Sequence, residues 1–128
     1  DPANIFVAQF IGTPKMNILE VNEENVVSEN TIKILGNDIQ FDKLKLNKSK
    51  HFVGIRPEHL KANQNTKFTF NPEIELIENL GNEKIVYMKK DEHQLSAKIP
   101  SNVEIGSSIG FDLNDIFIFD ENGKRVKS

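Results

Sequence analysis

Short runs of apolar residues, separated by residues that favour turns, recur along most of the chain. Leu95, Ala97 and Ile99 alternate with polar residues, as expected for a strand with one buried face. Many short strands at spacings of about 8–12 residues favour an antiparallel barrel or sandwich over a parallel sheet. We therefore predict a mainly β fold. Its expected strands are 16–21, 31–35, 39–41, 52–55, 68–70, 74–77, 84–88, 95–99, 109–113 and 116–119.

The first residues carry a helical signal instead. Asp1 and Pro2 suit a helix N-terminus, because Asp accepts backbone hydrogen bonds there and Pro is tolerated at the first helical position. The apolar residues that follow lie about four apart, which is typical of a short amphipathic helix, and Gly12 and Pro14 end it. So short a helix is marginal alone and is expected to pack on another surface. Its packing side chains are Phe6, Phe10 and Ile11.

The most constrained stretch is 52–60, where a strand meets a proline. Its first half is rich in strand formers, and Gly54 allows another backbone to approach closely. Pro57 ends the strand, because it lacks a backbone donor and keeps the preceding residue extended. We interpret the residues that follow as a rigid polar corner that either pins the strand end or contacts a partner. Its members are Arg56, Pro57, Glu58 and His59.

Charge and composition exclude several classes of function. The 128 residues include 19 acidic and 16 basic ones, with a formal net charge of -3. Nucleic-acid binding relies on lysines and arginines clustered at phosphates, so this balance argues against a nucleic-acid partner. The absence of cysteine excludes disulfides and thiol chemistry. No apolar run approaches the length of a membrane-spanning helix.

One motif near the C-terminus imitates the magnesium-binding strand of an ATPase. Residues 116–119 are apolar and are followed by Asp120 and Glu121. ATP chemistry also needs an upstream phosphate loop ending in Gly-Lys-Ser/Thr, whereas the one Gly-Lys pair lies downstream at 123–124. We therefore expect a buried strand that enters a turn, with no catalytic residue and no ATP bound here. The three histidines lack a zinc-like spacing, so no metal site is expected either.

Two segments, 6–17 (Phe-Val-Ala-Gln-Phe-Ile-Gly-Thr-Pro-Lys-Met-Asn) and 52–60, together resemble one family. They look like the C-terminal accessory region of ATP-binding subunits from bacterial carbohydrate ABC importers, which carries the transport-associated OB domain called TOBE. Residues 78–83 look like the family's Leu-Gly-x-Glu turn, and 118–126 look like its closing Phe-Asp-x-x-Gly segment. The Pro-Glu-His and Pro-Lys-Met-Asn runs favour sugar and glycerol-phosphate importers. The candidate structural or interface residues of the turn are Asn79, Gly81 and Glu83.

The resemblance implies an OB-like (TOBE) β-barrel or sandwich with a short N-terminal helix. Residues 1–14 would then be the terminal helix and linker of a preceding nucleotide-binding domain, and 15–128 a regulatory domain. This region would be a non-catalytic regulatory and dimerisation module. Its parent would bind ATP and Mg²⁺ and couple ATP hydrolysis to sugar uptake, in the cytoplasm, peripheral to the inner face of the cell membrane. The implied partners are a second copy, the nucleotide-binding domain, the membrane permease subunits and a regulatory protein.

A different class of function stays open, namely a small-ligand or oxyanion-binding OB-like domain of another ABC importer class. Backbone amides bind oxyanions without leaving a signature in the sequence. The nine phenylalanines and one tyrosine raise single-strand binding as well, because OB folds stack bases on aromatic rings. Several of these rings alternate in phase with Ile and Leu, which indicates core positions instead.

Overall fold

A computed structural model describes Asn4 and residues 14–126 of the chain. This part is built from short strands and three 3₁₀ turns, which confirms the prediction of a mainly β fold. The strands are β1 Asn17–Val21, β2 Val26–Ser28, β3 Thr31–Ile34, β4 Asn37–Gln40, β5 His51–Ile55, β6 Lys61–Ala62, β7 Phe68–Phe70, β8 Glu73–Asn79, β9 Glu83–Lys90, β10 His93–Pro100, β11 Ile109–Phe111 and β12 Ile116–Phe119. The 3₁₀ turns are Glu23–Asn25, Pro57–His59 and Leu113–Asp115.

Within the described residues the strands form four antiparallel sheets of three strands each. The central strands are β3, β5, β9 and β11, flanked by β2 and β4, β1 and β12, β8 and β10, and β6 and β7 respectively. Small antiparallel sheets of short strands are consistent with the OB-like fold that the resemblance implied. These strands do not close into a single barrel. The expected N-terminal helix, with Phe6, Phe10 and Ile11, lies outside the described residues.

The predicted strand before Pro57 is β5, and it is buried as its composition indicated. It pairs with β1 and β12, and Val53 and Ile55 are fully buried. A Cβ added at Gly54 would lie 2.6 Å from Met16 Sδ and 3.0 Å from Phe119 Cε2. The close approach that we expected at Gly54 is therefore made by side chains of the two neighbouring strand segments, and the missing side chain is what makes room for them.

Alternation in the second half of the chain also gives the expected burial. Leu95, Ala97 and Ile99 of β10 are buried, and the residues between them are partly exposed. In β9, Val86 and Met88 lie opposite Ala97 and Leu95, so the two strands share one apolar face. This face belongs to the main core, which extends across all four sheets.

Some local expectations were wrong. Leu113 lies in a 3₁₀ turn and not in the strand expected over 109–113, because Asp112 and Asp115 form a reciprocal capping box around it. The strands β2 and β6 were not predicted, since they are only three and two residues long and depend on pairing with β3 and β11. After β12 the chain turns back along this strand, and the Val126 N–H donates to the Ile118 carbonyl at 2.8 Å. Among the described residues, the helical turns are all too short to cross a membrane.

Candidate functional site

The polar corner after β5 is a compact 3₁₀ turn. Pro57 is buried at its first position, and the His59 N–H donates to the Arg56 carbonyl at 2.9 Å. The turn packs against β10, which links the β5 sheet to the β9 sheet. Glu58 is exposed on the outside of the turn. Proline fixes the backbone at the first position of the turn, where a backbone N–H would have no partner within the turn. The corner therefore sets the direction in which the chain leaves β5.

The Arg56 side chain lies over an aromatic ring of the neighbouring strand. Its guanidinium carbon is 5.5 Å from the centre of the Phe117 ring in β12, and that of Arg125 is 4.7 Å from the same ring. A guanidinium over a ring face is stabilised by the ring quadrupole. The contact therefore holds the end of β5 against β12, and Arg56 and Arg125 are both partly exposed.

His59 and Lys61 point toward the capping box of the third 3₁₀ turn. The Lys61 ammonium lies 3.1 Å from Asp115 Oδ2 and 3.6 Å from Asp112 Oδ2. His59 Nδ1 is 3.7 Å from Asp115 Oδ1, longer than a hydrogen bond. Asp115 also accepts the Asp112 N–H at 2.8 Å. With two carboxylates around one ammonium, the cluster ties three segments together and has no excess positive charge.

A neighbouring pocket bears on oxyanion binding. This pocket, of about 290 Å³, is lined by Lys61, Asn63, Gln64, Thr69, Gly106, Ser107, Ser108 and Gly110. Its polar lining suits a small anion in composition. Its cation, however, is Lys61, whose ammonium is held by Asp112 and Asp115, so an incoming anion would meet carboxylates as well as the ammonium. The described residues hold no group of three metal-ligating side chains.

The acidic pair that imitates an ATPase motif lies in a turn. One carboxylate oxygen of Asp120, Oδ1, accepts the N–H groups of Asn122 and Lys124, both at 2.9 Å. The Gly123 N–H donates to the Asp120 carbonyl, also at 2.9 Å. Asp120 thus serves as the acceptor that closes the turn after β12, because short acidic side chains readily bond to the backbone two residues on.

The resemblance motif at 78–83 forms the turn between β8 and β9. Gly81 has a φ of +89°, which favours glycine, and the Leu80 N–H donates to the Glu83 carbonyl at 2.8 Å. Asn79 lies opposite Lys84, and Glu83 pairs with Lys98 of β10 at 3.4 Å. This turn and the corner at Arg56 belong to different sheets, so the predicted residues do not converge on one site.

Sequence reasoning missed Asn17, which joins the β5 and β9 sheets. Its amide nitrogen donates to the carbonyls of Ile55 and Ser96, at 3.0 and 2.9 Å, and its oxygen accepts the Ser96 N–H at 2.8 Å. Asn17 is buried. The sequence gives no signal for this role beyond the position of Asn17 in a recognisable motif, because its partners lie 38 and 79 residues away.

The exposure of β8, which was predicted as a strand, is the other feature that sequence reasoning did not anticipate. All seven of its residues are exposed. Of the five large apolar side chains that are exposed among the described residues, four lie on β8 and the turn after it. They are Ile74, Leu76, Ile77 and Leu80. Contiguous exposed apolar side chains mark a contact surface more often than they mark a free one.

No family model matches the chain. It is similar to the maltose/maltodextrin import ATP-binding protein MalK of Vibrio vulnificus (strain YJ016), at 31% identity over 98% of the chain and 37% of that protein. It is similar to the sn-glycerol-3-phosphate import ATP-binding protein UgpC of Bordetella avium (strain 197N) at 34% identity, with the same two shares of 98% and 37%. The alpha-glucoside transport ATP-binding protein AglK of Rhizobium meliloti (strain 1021) is 27% identical, over 99% of the chain and 38% of its own length.

The chain therefore spans little more than a third of the length of these relatives. The relatives confirm the resemblance to ATP-binding subunits of sugar and glycerol-phosphate importers, which the motifs at both ends and in the middle of the chain indicated. The share of their length that is matched is consistent with the C-terminal region of such a subunit.

Proposed function

We propose, from this kinship with the ATP-binding subunits of bacterial sugar and glycerol-phosphate ABC importers, that the chain is the non-catalytic regulatory and dimerisation region of such a subunit. The observation that carries the proposal is the match of nearly the whole chain to about a third of several importer subunits. The parent subunit would bind ATP and Mg²⁺ outside this region. It would act at the cytoplasmic face of the membrane, docked on the permease subunits.

Three carboxylates among the described residues make contacts that support a structural role over a catalytic one. Asp120 closes a turn, and the Asp112 and Asp115 carboxylates are held by Lys61 and by the backbone. A catalytic carboxylate needs an oxygen within reach of the reacting group, whereas oxygens of these carboxylates contact N–H groups and the Lys61 ammonium of the protein itself. A groove of about 830 Å³ is lined by polar side chains together with Ile18, Ile34 and Leu35, and it carries no phenylalanine, tyrosine or tryptophan ring on which a sugar or a base could stack.

Dimerisation has a physical purpose in such a subunit. The resemblance implies ATP sites formed between two copies, which separate and rejoin in each cycle. A contact outside the catalytic domain keeps the copies together and raises their effective concentration, to the millimolar range for a short tether. A modest two-fold interface, below or near the ~1,600 Å² of a standard stable complex, is sufficient for this.

Sedimentation velocity of the chain at micromolar to millimolar concentration tests the dimerisation role. We expect a weak, reversible dimer that persists when residues 1–12 are removed. Dimerisation that vanishes with those residues, or a strict monomer at every concentration, contradicts the proposal. Calorimetric titration with Mg-ATP tests the non-catalytic role separately: a flat titration is expected, and saturable micromolar binding argues against it.

A further inference from the structure

Among the described residues, β8 pairs only with β9, the central strand of its sheet. Within this part of the chain, the other edge of β8 therefore has backbone N–H and C=O groups without a strand partner. A long, exposed and apolar edge strand is a template for pairing with another chain, and proteins cover or charge such edges. β8 combines apolar and acidic side chains, and its central residues read Glu75, Leu76, Ile77 and Glu78.

Exposed apolar side chains of β8 lie on both faces of its sheet. Leu76 is 60% exposed and Ile77 is 42% exposed, and as neighbours in a strand they point to opposite faces of the sheet. The next apolar side chain, Leu80, is 58% exposed just beyond the strand. An added strand would therefore find apolar contacts on either face of the sheet in addition to the backbone ladder.

The charge of the edge decides between possible occupants. β8 contains Glu73, Glu75 and Glu78 and no basic residue. Glu73 lies opposite Lys89 in the register with β9, whereas Glu75 falls at a register irregularity and Glu78 lies opposite Ile85. Between the described residues, none of these three carboxylates is within ion-pair distance of a cation. Pairing β8 with β8 of a second copy would bring six carboxylates together, which is unfavourable.

We propose that the free edge of β8 binds an extended segment of another protein that carries basic and apolar residues on both of its faces, as an added fourth strand of the β8–β9–β10 sheet. Main-chain hydrogen bonds along the edge supply affinity, and alternate side-chain positions supply specificity. Lysines or arginines of the segment lie against Glu75 and Glu78, and its apolar residues lie against Leu76 and Ile77. This goes beyond the contact between copies proposed above, which sedimentation tests independently.

The test uses synthetic peptides about as long as β8. The probe repeats two lysines followed by two valines, so that each face of the strand carries both residue types; a second peptide replaces lysine with glutamate, and a third replaces valine with serine. We expect saturable binding of the lysine–valine peptide in calorimetry, at least tenfold weaker binding of the other two, and slowed amide hydrogen exchange at residues 73–79. No binding of the lysine–valine peptide at millimolar concentration, or protection at a different strand, overturns the proposal.

Charge-reversal variants locate the contact. The double variant Glu75→Lys and Glu78→Lys should lower affinity for the lysine–valine peptide at least tenfold and raise affinity for the glutamate–valine peptide. Glu121→Lys, an exposed reversal in the turn after β12, is the matched control and should change neither. Equal losses in the double variant and the control would show a general charge effect and overturn the proposal. Self-association that Leu76→Ser abolishes would assign the edge to a second copy and overturn it too.

Discussion

β5 and β8 are both antiparallel strands that contain isoleucine, and they lie in opposite environments. β5 is the central strand of its sheet, and Val53 and Ile55 are fully buried beneath their neighbours. β8 is an edge strand, and every one of its residues is exposed. What differs is the number of neighbouring strands and the presence of a packed layer over the side chains.

This difference separates two ways of holding a strand in place. β5 is held by packing, so its side chains are fixed by the shape of the core and any change there has an energetic cost. β8 is held by its hydrogen-bonded ladder to β9, so its side chains contribute little to the stability of the fold. They are therefore free to be adapted to a partner, and the acidic and apolar composition of β8 is best explained in that way.

The largest difference in stability is expected between two variants that each replace one isoleucine by alanine, one in β5 and one in β8. Ile55→Ala removes a fully buried side chain, and it should lower the free energy of unfolding by about 2–5 kcal/mol. Ile77→Ala removes a side chain that is 42% exposed, and it should cost about 0.5 kcal/mol or less. Urea unfolding of the two variants measures both values. Similar losses would show that β8 is packed against something in solution and would remove the contrast between the strands.

Asn17 extends the comparison to polar groups. Asn17→Leu leaves two carbonyls and one N–H without their side-chain partner, and each such buried group costs about 1–3 kcal/mol. Because Ser96 is only partly buried, we expect a loss near the lower limit of the sum, about 3 kcal/mol. Asn79→Leu at the exposed end of β8 is the control and should cost less than about 0.5 kcal/mol. Equal stabilities for the two variants would argue against Asn17 as a clamp between sheets.

What could be predicted from the sequence also differs between the packed strand and the exposed strand. β5 and its corner were predictable, because a run of strand formers followed by proline restricts the backbone locally. β8 was predictable as a strand from its composition, but its exposure was not, since burial depends on which strands lie beside it. The role of Asn17 could not be predicted for the same reason, because its partners Ile55 and Ser96 are distant in sequence. Local chemistry thus predicts the elements, and tertiary pairing decides which of them face a partner.

Glycine-to-alanine substitutions separate crowding from backbone strain. Gly54→Ala in β5 places a Cβ 2.6 Å from Met16 Sδ, and overpacking of this kind costs about 1–3 kcal/mol. Gly81→Ala in the β8–β9 turn meets no atom within 4 Å, but its φ of +89° is unfavourable for alanine by about 1–2 kcal/mol. Thermal unfolding measures both losses.

The two causes are distinguished by different rescues. Adding Met16→Ala to Gly54→Ala opens the crowded space, so the double variant should be less destabilised than the sum of the single variants. Gly81→Asn should be milder than Gly81→Ala, because asparagine tolerates positive φ better. Additive losses at Met16 and Gly54, or identical losses for both Gly81 variants, would contradict this account of the two glycines.

A smaller effect than at the two glycines is expected at Arg56, a half-exposed side chain over the end of the packed sheet. A corner pinned by charged hydrogen bonds would lose about 1.5–3 kcal/mol in Arg56→Ala. The structure instead gives Arg56 a guanidinium–ring contact with Phe117, for which the loss is about 0.5–1 kcal/mol. Chemical denaturation resolves these two ranges.

A double-mutant cycle assigns that loss to its cause. If Arg56 acts through the Phe117 ring, Arg56→Ala should cost little in a Phe117→Leu background, because the ring that attracts the cation is already gone. Arg56→Lys should keep part of the coupling, since an ammonium is also attracted to a ring face. A loss above about 2 kcal/mol that persists in the Phe117→Leu background would mean that Arg56 is held by hydrogen bonds of the corner. Arg56 would then belong with Asn17 among the groups that are fixed by the fold, and not with the side chains of β8 that are free to meet a partner.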